Sequence, residues 1–311
     1  MKNCITVLFL TAIVSGFSQS SNFSSQGRWS ANKKEIVMHV GATQFLGDLG
    51  GRDGIGKDLS LADINFKSTN LDLGIGFRYR FHRFFATTTM LNFGMIKGDD
   101  ALTKEPVRNA RNLHFRSPFI NLNQRIEVIV FANETPGSRL KGKGIRGAKT
   151  HNEQLYVFSG IGLAYFNPQA RYNGSWTNLR PLSTEGQGLE GGPKAYLPVT
   201  ATIPFGIGFR FGISEMWRLG IEAVYLKTFS DYIDDVSGEY YDPAVLAAEK
   251  GQASAYLSNP SPYPFLFPAG SQRGDKDKDA VFYLNLTISK NITYKSLNYR
   301  VKSYKYRRSK F

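Results

Sequence analysis

The chain has a single cysteine, Cys4, in 311 residues. It lies ahead of the apolar stretch 5–14, whereas a lipoprotein cysteine would follow such a stretch. With no other thiol, disulfides and thiolate metal sites are excluded. No later run approaches roughly 18 apolar residues, so no segment is expected to cross a membrane as a helix. The four histidines, His39, His82, His114 and His151, are scattered without ligand spacing. No Gly-x-Ser-x-Gly elbow exists. An enzyme, a metal site and a cofactor are therefore not expected.

The first residues read as an export signal. Met1 and Lys2 give a short positive start, residues 5–14 the apolar core, and Gly16-Phe17-Ser18 a small-x-small cleavage site. This divides the chain into a signal peptide at 1–18, an N-terminal periplasmic segment at 19–34, a β domain at 35–295 and a basic periplasmic tail at 296–311. Mean hydropathy is −0.29. That value suits a barrel, whose strands are apolar on one face only.

The dominant period is two. Leu71, Leu73, Ile75, Phe77, Tyr79 and Phe81 alternate with Asp72, Gly74, Gly76, Arg78 and Arg80. Ile203, Phe205, Ile207, Phe209 and Phe211 alternate with Pro204, Gly206, Gly208 and Arg210, and Trp217, Leu219 and Ile221 with Arg218, Gly220 and Glu222. Phe282, Leu284, Leu286 and Ile288 form a further apolar face. Segments 35–45, 84–95, 120–130 and 154–166 fit the same pattern, with Gln124 as an exception in the third. Eight strands result, an even number as in bacterial single-chain barrels. A soluble β-sandwich would share the alternation. The many glycines on the polar face favour a narrow lumen, in which Arg78, Arg80, Arg125, Glu127, Arg210, Arg218 and Glu222 form a charge network. The expected fold is thus an all-β, antiparallel transmembrane barrel whose interior side chains fill.

Connections near 46–67, 97–112, 167–197 and 230–279 are long and fall on the extracellular side. His82-Arg83 and 213–216 are short, as periplasmic turns are. The exception is 133–152, a long loop on the periplasmic side. Net charge is +14, and two segments hold most of it. Loop 133–152 carries Arg139, Lys141, Lys143, Arg146 and Lys149 against Glu134; the tail carries seven bases from Lys295 onward and no acid. Both fall on one side of the membrane and read as a partner surface. Loop 230–279 is acidic, nine acids against four bases, and its run Asp231, Asp234, Asp235, Glu239 and Asp242 reads as a solvated outer loop rather than a Ca²⁺ site.

Three other motifs are set aside. Gly51-x₄-Gly56-Lys57 has Asp58 where a phosphate loop needs Ser or Thr. Gly142-x-Gly144-x-x-Gly147 lacks a βαβ frame, and Arg273-Gly274-Asp275 is too short to carry meaning. Tyr299, Tyr304 and Tyr306 interleave with Arg300, Lys302, Lys305, Arg307 and Arg308, a pattern compatible with nucleic acid. Export argues against that partner.

Several segments follow one another in a familiar order. Phe45-Leu46-Gly47-Asp48-Leu49 leaves the first strand and Arg111-Asn112-Leu113-His114-Phe115-Arg116-Ser117 enters the fourth. Tyr165-Phe166-Asn167-Pro168, Gly174-Ser175-Trp176 and Leu182-Ser183-Thr184-Glu185-Gly186-Gln187-Gly188 surround the fifth connection. Ile203-Pro204-Phe205-Gly206-Ile207-Gly208-Phe209, Lys227-Thr228-Phe229-Ser230-Asp231-Tyr232-Ile233-Asp234-Asp235-Val236-Ser237 and Gln272-Arg273-Gly274-Asp275 complete the series. It resembles the PorG family of Bacteroidetes outer-membrane proteins, from about residue 35 to 295. The resemblance implies a non-enzymatic component of the type IX secretion system, which exports adhesins, proteases and gliding-motility proteins. It also implies that the barrel sits in the outer-membrane lipid and anchors a periplasmic ring of PorK- and PorN-like proteins. The basic loop and the basic extension depart from the family pattern. They supply the expected partner-binding residues, the five loop cations with Tyr299, Arg300, Lys302, Tyr304, Lys305, Tyr306, Arg307 and Arg308. The alternative is a small-solute channel or porin-like protein. An enzyme acting at the lipid boundary would need a Ser/His pair, and only His39, on the inward face of the first strand, offers a foothold.

Overall fold

In the computed structural model, residues 33–49, 68–103, 105–133, 153–213, 216–275 and 277–292 are described. Ten strands form: β1 (Lys34–Leu46), β2 (Asn70–Arg80), β3 (Phe85–Asp99), β4 (His114–Asn133), β5 (Glu153–Phe166), β6 (Gln169–Tyr172), β7 (Ser175–Asn178), β8 (Val199–Gly212), β9 (Trp217–Thr228) and β10 (Ala280–Asn291). Eight of them pair antiparallel in the closed order β1-β2-β3-β4-β5-β8-β9-β10, with β10 returning to β1. The protein is an all-β, closed eight-stranded barrel, and closure leaves the barrel wall without an edge strand. All eight strands read from the alternation are present.

The alternation sets which face is which. Leu71, Leu73, Ile75, Leu122, Ile126, Ile161, Leu163, Phe205, Ile207 and Leu286 point outward and stay exposed. Their strand neighbours Asp72, Arg78, Arg80, Asn121, Arg125, Glu127, Arg210 and Asn285 point inward and are buried. An apolar outside around a polar inside is the arrangement of strands that cross a membrane. Gln124 also points outward, and its amide exchanges hydrogen bonds with the hydroxyls of Thr87 and Thr89. A polar side chain on an apolar face is thereby satisfied locally.

Two irregularities interrupt the ladders. A bulge between Ile129 and Phe131 shifts the register of β4 against β5, so Phe131 faces outward after Val128. Pro204 stands inside β8, and the β5–β8 ladder lacks the pairs between Ser159↔Phe205 and Gly162↔Thr202. Proline has no N–H to donate there.

The rims differ. At one rim, residues 81–84 make a short turn, β8 ends at Gly212, β9 begins at Trp217, and β4 and β10 end. The opposite rim carries a folded cap. The β3–β4 connection contains helix α1 (Pro106–Arg111), whose first turn is capped by the Glu105 carboxylate. Helices α2 (Pro243–Lys250) and α3 (Gln252–Ser258) lie in the β9–β10 connection, and Asp242 caps α2. In the β5–β8 connection, β6 and β7 form a hairpin that joins the sheet through Arg116↔Gln169. Its turn is Asn173-Gly174, both at positive φ, 49° and 82°, as a tight primed turn requires.

Lysine at the outward, 62 % exposed Leu286 should lower stability in phospholipid vesicles by about 2–4 kcal/mol, the cost of a cation near the bilayer midplane. Lysine at Val245 on α2 should change it by less than about 0.5 kcal/mol. Urea unfolding of both variants in vesicles checks the difference.

Candidate functional site

The lumen is filled by a network of buried charges. Glu127 Oε2 accepts from Arg78 Nε and Arg210 Nη2, each at 2.7 Å, and Thr88 donates its hydroxyl to Oε1 at 2.5 Å. Arg125 holds Glu222 with two parallel bonds of 2.9 Å, and the Tyr156 hydroxyl donates to the same carboxylate. Glu35 pairs with Arg218 at 3.1 Å, Arg78 at 3.3 Å and Arg210 at 3.6 Å. Arg210 lies over the Tyr156 ring at 3.8 Å and Arg125 over the Phe158 ring at 4.2 Å. Two cations are thus held between carboxylates and aromatic faces.

The seven lumen residues expected from the sequence all face inward and are buried. Six belong to the ion-pair network; Arg80 lies nearer the short-turn rim, where it donates to the Arg83 carbonyl at 2.5 Å. Sequence reasoning missed Glu35. It shares the phase of Val37 and His39 on β1, and that parity was the available signal.

Glycine makes this filling possible. Register pairs Phe158 with Gly206, Tyr156 with Gly208, His39 with Gly74 and Met90 with Gly76. A Cβ at Gly208 would meet the Tyr156 ring at 2.3 Å, and one at Gly74 the His39 ring at 2.3 Å. Each large side chain therefore lies across a strand that offers no side chain of its own. Toward the cap, His39 Nε2 and Asp72 Oδ2 are 2.7 Å apart, both side chains buried.

The cap has its own ion pairs. Arg111 grips Asp100 through Nε at 2.7 Å and Nη2 at 3.1 Å, and donates to the Arg273 and Asp48 carbonyls. Arg273 joins Glu185 at 3.0 Å and the carbonyls of Asp235 and Ser258. These bonds tie four connections together. The acidic run expected to be solvated is so in part: Glu239 and Asp242 are exposed and Asp231 is half-buried, but Asp234 and Asp235 are fully buried, and Asp235 accepts from Thr184 at 2.5 Å and Tyr196 at 2.6 Å. Tertiary folding of the loop over the barrel mouth withdraws those two from water. Arg273, in a tripeptide set aside above, is a central structural residue.

Five aspartates share this region. Burial and the charge of Asp275 push Asp48 up to about 8. Burial likewise pushes Asp231 up to about 7, with Asp275 and Glu185 adding to the rise. Asp234 and Asp279 are raised by burial, and then by the charges of Asp279 and Asp48 respectively.

The expected partner-binding residues Arg139, Lys141, Lys143, Arg146, Lys149, Tyr299, Arg300, Lys302, Tyr304, Lys305, Tyr306, Arg307 and Arg308 lie outside the described residues. So do both glycine-lysine and glycine-rich motifs at 51–57 and 142–147.

The fold and the packed lumen define a class, the small eight-stranded membrane barrel. Among solved structures, the chain is similar to Ail, the attachment invasion locus protein of Yersinia pestis, at 9 % identity over 83 % of this chain and 98 % of that one, TM-score 0.34. It is similar to Neisserial surface protein A at 7 % identity over 83 % and 94 %, TM-score 0.33. The N-terminal β-barrel domain of Pseudomonas aeruginosa OprF gives 9 % over 83 % and 97 %, TM-score 0.31. The likeness is one of barrel architecture. No family model and no curated protein matches the sequence.

Glu127→Ala should lower stability by about 3–5 kcal/mol, because Arg78 and Arg210 lose their 2.7 Å partner and must share Glu35, at 3.3 and 3.6 Å; urea unfolding in vesicles reads this. The cap should respond to pH. An aspartate held above its ordinary value near 4 favours the folded cap while protonated, and that contribution is lost as pH rises through the folded value. With Asp231 at about 7 and Asp48 at about 8, amide exchange in the cap should quicken as pH rises from about 4 through about 8 and then level off, after correction for intrinsic exchange. Asp48→Asn should flatten the dependence.

Proposed function

We propose that the protein is a non-enzymatic outer-membrane barrel that anchors the periplasmic ring of the type IX secretion system. The observation that carries the reading is one of topology. β4 ends at Asn133, β5 begins at Glu153 and β10 ends at Asn291, all at the rim of the 81–84 turn. The described strand ends nearest the two basic segments of the sequence, 133–152 and 296–311, thus share one rim, and the described part of the acidic 230–279 connection occupies the other. The ordered likeness of the sequence to the PorG family over 35–295 supports the same reading. It implies PorK- and PorN-like proteins as the partners. Cations at the rim would steer acidic ring surface toward the barrel, and the interleaved tyrosines would anchor it.

The packed lumen supports an anchor over a channel. Glu35, Glu127 and Glu222 meet arginines across the interior, and aromatic rings fill the space beside them. Nor does His39 favour catalysis, since its side chain is 2 % exposed and paired with Asp72.

Deleting residues 296–311 should leave the barrel folded and reduce recovery of ring proteins in a crosslinked pull-down from outer membranes. Unchanged recovery would count against the tail as an anchor. In planar bilayers the full protein should show no stable open level; a steady conductance would revive the channel reading.

A further inference from the structure

The cap encloses a cleft of about 810 Å³ between the β5–β8 and β9–β10 connections. That volume lies within the range of ligand sites, roughly 300–1,000 Å³. Neither the lumen network nor the anchoring rim uses it, because it opens at the opposite end of the barrel.

Its walls have two characters. One is aromatic. Tyr196 and Tyr232 line the cleft, 4.7 Å apart and 4° from parallel, and the buried Phe166 ring stacks behind Tyr196. Tyr232 ends the stack and is half-buried. Phe229 and Leu197, 51 % and 72 % exposed, add an apolar rim.

The other character is acidic. Glu185, Asp231, Glu239 and Asp242 line the cleft, against Lys278. Glu185 is engaged by Arg273, and Asp242 caps α2. Lys278 donates to the Phe229 carbonyl at 3.2 Å. Asp231 accepts from Ser237 through Oδ2, but its Oδ1 is shielded from water without a hydrogen-bond partner. Tyr240, also on the wall and 3 % exposed, has an unpartnered hydroxyl. Glu239 and Asp242 are exposed on this wall and supply its negative charge. Carboxylates beside a tyrosine ring on the wall of one cleft are complementary to a flat organic cation. Guanidinium fits best, since it stacks on tyrosine and donates in the plane to carboxylates at once.

We propose that this cleft binds an arginine-bearing segment of another polypeptide, with the guanidinium stacked on Tyr232 and paired with Asp231 and Glu239, and a neighbouring apolar side chain against Phe229 and Leu197. The cleft is a second binding surface, at the opposite end of the barrel from the proposed ring anchor and independent of it.

The test uses the full-length protein in detergent and a dansylated Leu-Arg-Leu amide, read by fluorescence anisotropy. A Leu-Gln-Leu amide is the control peptide. Saturable binding of the arginine peptide, at least tenfold tighter than the glutamine peptide and weakened by salt, is expected. Glu239→Arg, on an exposed residue, should weaken it at least tenfold, as should Asp231→Asn. Glu249→Arg, on α2 and outside the cleft, should leave it unchanged. Equal binding of both peptides, or equal loss in the Glu239 and Glu249 variants, would overturn the proposal. A ring pull-down that fails while the peptide still binds would sink the anchor reading alone.

Discussion

Glu127 sits between Arg78 and Arg210, and much of the barrel depends on that contact. Three strands, β2, β4 and β8, converge on one carboxylate through bonds of 2.7 Å. Glu35 reaches the same two arginines from β1 and Arg218 from β9. Buried charges are costly when unpaired. This arrangement therefore holds only in one register, and a slip by a single residue would turn every cation toward the apolar outside.

The charges need room, and glycine supplies it. Tyr156 and Phe158 on β5 lie across Gly208 and Gly206 of β8, and their rings then support Arg210 and Arg125. The result is a filled interior. The two rims differ in form. One has the 81–84 turn and the ends of β4 and β10. The other has a braced cap in which Arg111 and Arg273 join connections far apart in the chain.

The cap also shows how a polar loop becomes a structural unit. Asp235 is held by Thr184 and Tyr196 from another connection. Asp48, Asp234 and Asp279 share a region where burial and mutual repulsion keep them protonated more readily than free carboxylates. The stability of this end of the molecule is thereby linked to pH, while the barrel wall beneath is set by packing and ion pairs.

By itself the sequence determined the eight strands, their inward and outward faces and seven of the lumen charges. Period-two alternation states these directly, because strand geometry sends successive side chains to opposite sides. Glu35 was legible by the same parity, and the β6–β7 hairpin by Asn173-Gly174. Only the tertiary structure decided which carboxylate meets which arginine, since that depends on strand register around a closed wall. It alone decided that Asp234, Asp235 and Arg273 are buried and that Tyr232 and Asp231 share a cleft. Those residues lie on connections without periodicity, and their surroundings come from partners dozens of residues away.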